Sequence, residues 1–81
     1  MKHYILVHVL KPANSDYAGR QEWLSFVTDT REIELKAKDS QVLAENVWLL
    51  DRDNDVACLA TIAHAASNVG LKYTTRFLTA D

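Results

Sequence analysis

The chain has 81 residues, 48% of them apolar and 25% charged, with two glycines and one proline. That is material for one ordinary globular domain around one core, too apolar for a disordered tail and too poor in Gly and Pro for linkers. A net charge of −2, with basic residues scattered from Lys2 to Arg76, argues against a surface built to grip phosphates, and the lone Cys58 rules out an internal disulfide.

The opening run from Met1 to Leu10 superficially resembles a signal peptide. Its apolar stretch is short, is interrupted by His8, and leads into Lys11-Pro12 without a small-residue cleavage site. No stretch reaches the roughly 20 apolar residues that a spanning helix needs. With an unpaired cysteine suited to a reducing compartment, the expectation is a cytoplasmic protein with no membrane association.

Tyr4 to Lys11 is dense in β-branched and aromatic residues and predicts a central strand. Ile5, Val7 and Val9 fall on one side of it, and Tyr4, Leu6, His8 and Leu10 on the other. Pro12 to Asp16 is turn chemistry, with Asn14, Ser15 and Asp16 as candidate helix caps. From Asp16 to about Thr28, Tyr17, Trp23, Leu24 and Val27 fall partly at helical spacing. We read a helix there, although Gly19 weakens it and Trp23 to Thr28 suits a strand equally well.

Glu32 to Lys38 alternates without a fault, with Ile33, Leu35 and Ala37 on one side and charges on the other, which predicts a half-buried strand. Asp39-Ser40 opens a connection in which Val42 and Leu43 make one helical turn. Asn46 to Leu50 predicts a further apolar strand. Asp51 to Asp55 supplies capping and negative charge for a helix on which Val56, Leu59, Ile62, Ala63 and Ala66 are spaced for one face. Gly70 ends that helix at a left-handed position, and Leu71 to Thr79 closes the chain as a strand.

The order is β-α-β-β-α-β in a single domain spanning residues 1–81. It predicts an α+β, ferredoxin-like sandwich of two helices on a four-stranded antiparallel sheet. The expected core is Ile5, Val7, Val9, Leu35, Leu49, Leu59, Ile62 and Ala66.

Chemistry is poorly served by these residues. Asp51-Arg52-Asp53-Asn54-Asp55 imitates the start of a calcium loop, but the positions that need Gly and a bidentate Glu hold Val56 and Ile62. His3 and His8 lie on opposite faces of one strand, and His64 and Cys58 on different sides of one helix, so no metal set converges. Neither Cys58 with His64 nor Ser25 with a histidine has local support as nucleophile and base. Gly19 and Gly70 are too far apart to form a phosphate loop. We expect no catalytic residues, no metal and no cofactor.

One positive hint remains. Two helices cover one face of a four-stranded sheet, yet the first strand is apolar on both. The face formed by Tyr4, Leu6, His8 and Leu10, joined by Trp48 and Leu50 from the neighbouring strand, is therefore expected to bind something. A homo-oligomer or a protein partner is favoured. Nucleic acid stacking on Tyr4 and Trp48 is the weaker alternative.

The run Asn46-Val-Trp-Leu-Leu50 followed by a helix and a closing strand, with the opening Tyr4-Ile-Leu-Val7, resembles small ferredoxin-like proteins of the CRISPR adaptation nuclease family and its virulence-associated, toxin–antitoxin relatives. The resemblance implies the fold and dimerisation. Nuclease members of that family carry an Asp at the end of the first strand. Here that place holds His8-Val9-Leu10, with no acid until Asp16, a departure that argues against metal-dependent nuclease activity; a nuclease-like enzyme is the catalytic alternative that the resemblance leaves open.

Overall fold

The computed structural model describes residues 1–12 and 17–80. The candidate caps Asn14, Ser15 and Asp16 lie outside them. The elements run β1 (Lys2–Val9), α1 (Tyr17–Thr30), β2 (Gln41–Ala44), β3 (Val47–Asp51), α2 (Val56–Asn68) and β4 (Tyr73–Ala80). The four described strands form one sheet in the order β2-β3-β1-β4, with every neighbouring pair antiparallel. This is the α+β, ferredoxin-like sandwich that the sequence predicts.

β1 lies in the interior of the sheet because both of its faces are apolar. Its register against β3 pairs Ile5 with Leu50 and Val7 with Trp48. Residues directly opposite in a ladder share a face, so these four point together toward the helices, where all are buried. Val9 joins them. Its N–H donates to the Asn46 carbonyl and its own carbonyl accepts the Asn46 side chain, each at 2.9 Å, which pins the β2–β3 turn to the end of β1.

Residues 17–30 are helix rather than strand. Trp23, Phe26 and Thr30 form the buried stripe of α1, with Val27 beside them, while Leu24 points outward. Phe26 is the hub of the aromatic core. Its ring centroid lies 5.8 Å from that of Trp23 and 6.0 Å, edge-on, from that of Trp48. The Trp23 indole N–H reaches Glu45 at 3.2 Å, so the ring is buried with its polar atom partnered.

On α2 the buried face is Ile62, Ala65 and Ala66, flanked by the half-buried Cys58 and Leu59. The helix ends in a Schellman arrangement. The Leu71 N–H donates to the Ala66 carbonyl at 2.9 Å and the Gly70 N–H to the Ser67 carbonyl at 3.2 Å, with Gly70 at φ +73°. Leu71 then turns its side chain into the core.

Three expectations are corrected. Glu32 to Lys38 is not a strand, although its alternation reflects real burial, since Ile33 and Leu35 pack against the core. The N–H groups of Lys36 and Ala37 donate instead to the Asp55 carboxylate, at 2.7 and 3.0 Å. The second strand lies later, at Gln41–Ala44, where Val42 and Leu43 are extended rather than helical. Leu49, expected in the core, lies on the opposite face of β3 from Trp48 and Leu50.

Candidate interaction surface

The face of the sheet away from the helices follows from the two registers of β1. Tyr4, Leu6 and His8 sit opposite Asp51, Leu49 and Val47 on β3, and opposite Leu78, Arg76 and Thr74 on β4. The centre is therefore Leu6 with Leu49, bordered by Tyr4, Val47 and Leu78. Tyr4, Leu6, Val47 and Leu49 are half-buried by their strand neighbours, and His8 and Leu78 are exposed. Leu10 follows β1 in the same alternation and is exposed, its N–H donating to the Lys72 carbonyl at 2.8 Å. The buried apolar residues of α1 and α2 all join the core on the other side.

Of the six residues that the sequence suggests for this face, Tyr4, Leu6, His8 and Leu10 lie on it. Trp48 and Leu50 do not. They are 3% and 0% exposed in the core, because β3 pairs with β1 in a register that sets them opposite the helix-facing Val7 and Ile5. Leu49 and Val47 take their places. One signal pointed that way: Asp51 has the parity of Val47 and Leu49, and a carboxylate marks the wetter side of a strand.

Charge is sparse on this surface. Lys2, at its end, pairs with Asp39 in an ion pair that leaves both side chains well exposed. The hydrogen bond between them raises the Lys2 pKa and lowers that of Asp39. Screening by water makes such a pair worth little to stability. Arg76 flanks Leu6 on the β4 side. The Asp51 carboxylate accepts the N–H groups of Asp53 and Asn54 at 2.8 and 3.1 Å, which uses it as a turn-former rather than a ligand.

The candidate chemical groups stay apart. His8 and His64 are exposed on different elements, and His3 is half-buried. No group of three or more His, Cys, Asp or Glu side chains converges on a metal-sized site among the described residues. Burial, reinforced by the nearby Asp55 charge, raises the pKa of the Cys58 thiol. It is then protonated at neutral pH, the wrong state for a nucleophile.

No helix of the described residues is long and apolar enough to cross a membrane. The chain matches no family model, and no curated protein or solved structure is significantly similar to it.

Proposed function

We propose that this protein is a non-enzymatic interaction module of the cytoplasm, which associates through the open face of its sheet with a second copy of itself. The observation that carries the reading is the uncovered apolar centre made by Leu6 and Leu49, with Tyr4, Val47 and Leu78 around it. A domain of this size exposes such a patch to water at a cost, and covering it is the simplest relief.

A second copy suits the face electrostatically. Its charges are Arg76 and Asp51, of opposite sign, with Lys72 opposite Leu10 at the rim and Lys2 already paired to Asp39, so the centres of two copies meet without net like charge. The resemblance to the CRISPR adaptation family, which implies dimerisation, leans the same way. Stacking of nucleic acid is disfavoured, because Trp48 is in the core and Tyr4 has no second aromatic beside it among the paired residues of that face.

The test is the mass of the assembly by light scattering at high micromolar concentration. Specific contacts of this kind bury about 800 Å² per partner, and a charge at the centre should break them. Leu6→Lys should lower the mass while leaving the circular dichroism spectrum unchanged. A monomeric wild type, or a mass that Leu6→Lys does not alter, counts against the reading. If the wild type is monomeric, a different protein partner becomes the occupant to seek.

A further inference from the structure

The two edges of the sheet differ in kind. β2 closes one edge with four residues, and its pairing with β3 is irregular between Val42 and Ala44. β4 closes the other with eight residues, matched one-to-one with β1 from Lys2–Ala80 to Val9–Tyr73 without a break. Sheet edges are usually blunted by shortness, bulges, proline or charge. β2 has the first two of these. β4 has only Arg76.

The hydrogen-bonding polarity of β4 follows from one bond. Leu10 and Lys72 stand opposite each other in the continued register, and the Leu10 N–H donates to the Lys72 carbonyl at 2.8 Å. Antiparallel ladders alternate between bonded and non-bonded pairs. Thr74, Arg76 and Leu78 therefore bond to β1, and the N–H and C=O groups of Tyr73, Thr75, Phe77 and Thr79 point at the open edge. These four carry their side chains on the helix side of the sheet, opposite Val9, Val7, Ile5 and His3. Because α2 packs over β1 and β3, it leaves them uncovered, with Phe77 69% exposed.

We infer that β4 is a strand-addition edge whose occupant is the β4 strand of a second copy, which extends the sheet to eight strands. A two-fold axis normal to the sheet matches seven of the eight residues of β4 with their counterparts, sets outward donors against outward acceptors, and keeps helix side next to helix side. That symmetry pairs only residues of the same parity. Centring the pair on Arg76 would set two guanidinium groups opposite each other, which is unfavourable. Centring it on Phe77 places Phe77 against Phe77, Thr75 against Thr79 and Arg76 against Leu78. This register covers the most exposed large apolar side chain of any described strand. The edge is separate from the open face, so the protein carries two self-association surfaces of different character.

Thr75→Pro isolates the edge. It deletes an N–H aimed away from β1, and proline is tolerated at such positions. Phe77→Lys is the second variant, at an exposed site where the fold has little to lose and the paired edge would acquire two opposed charges. Light scattering is read in the Leu6→Lys background, which removes the face. There the chain should remain a dimer, and adding Thr75→Pro or Phe77→Lys should reduce it to a monomer with an unchanged circular dichroism spectrum. A Leu6→Lys chain that is already monomeric at high micromolar concentration overturns the edge and leaves the face standing. Dimers that persist with Phe77→Lys in that background also overturn it. Conversely, if Leu6→Lys leaves the wild-type mass unchanged while Phe77→Lys lowers it, the edge stands and the face falls.

Discussion

The hydroxyl of Ser40 donates to Oδ2 of Asp55 over 2.5 Å while accepting the Asp51 N–H at 2.8 Å, and the side chains of Ser40 and Asp55 are both buried. The same carboxylate accepts the N–H groups of Lys36 and Ala37. Asp55 stands at the N-cap position of α2 yet makes no side-chain cap bond there. Its charge is spent on the 36–40 segment and, through Ser40, on the end of β3. A buried carboxylate is stable only when its partners are all present.

Asp55→Ala should therefore cost about 2–3 kcal/mol, because it strips partners from the buried Ser40 hydroxyl and from two part-buried N–H groups. Asp53→Ala, an exposed site two residues away, should stay within about 0.5 kcal/mol. Urea unfolding of the two variants checks the contrast, and equal costs would contradict the network.

The same network sets an acid limit. Burial pushes the Asp55 carboxyl up, but the hydrogen bonds from Ser40, Lys36 and Ala37 together pull harder, and its pKa settles below the ordinary 3.8. A depressed folded pKa contributes stability at pH values above the unfolded pKa, and that stability is lost as pH falls through the folded one. The Asp55-dependent part of the unfolding free energy should be level from neutral pH to about pH 5 and fall only below about pH 4. Comparing wild type with Asp55→Asn across that range isolates it, and an Asp55-dependent loss between pH 7 and 5 would refute the assignment.

The register of β3 makes neighbouring residues unequal. Trp48→Ala should cost about 3–5 kcal/mol, and Ile62→Ala about 2–5, since both empty the fully packed core. Leu49→Ala, half-exposed on the open face, should cost clearly less in the monomer. Leu59→Ala should also fall below Ile62→Ala, because Leu59 only flanks the core. Denaturant midpoints rank the four.

Gly70→Ala tests the end of α2. A Cβ at this position meets nothing within 4 Å, so the penalty comes from the positive φ of 73° alone. Holding alanine in the left-handed region should cost about 1–2 kcal/mol, read as a lower melting temperature. An unchanged melting temperature would show that the turn relaxes.

Cys58 should react slowly. Burial and the Asp55 charge hold its thiol above the ordinary 9.0. Alkylation by iodoacetamide should lag behind a free cysteine peptide at neutral pH and rise only at more alkaline pH than the peptide does. Asp55→Asn should shift that rise toward lower pH, provided the variant remains folded.

The periodicities in the sequence reached a long way. The apolar runs of β1 and β3 and the 3–4–7 spacing on α2 come from local rules of burial, and with the Thr- and aromatic-rich β4 they suffice for four of the six elements and the α+β class. Gly70 likewise announced the end of α2, because few residues other than glycine accept that backbone angle without strain.

Tertiary structure decided what alternation leaves undetermined. Period two says that Trp48 and Leu50 share a face, but not which face. That was settled by the β1–β3 pairing, where a slip of one residue would exchange Trp48 for Leu49. Glu32 to Lys38 shows the same limit. Its pattern is that of a strand, but a strand also needs a partner for its N–H groups. Two of them went to Asp55, far along the chain, and no local rule could assign them there. The open face centred on Leu6 and Leu49 thus owes its apolar character to the sequence and its actual membership to the register.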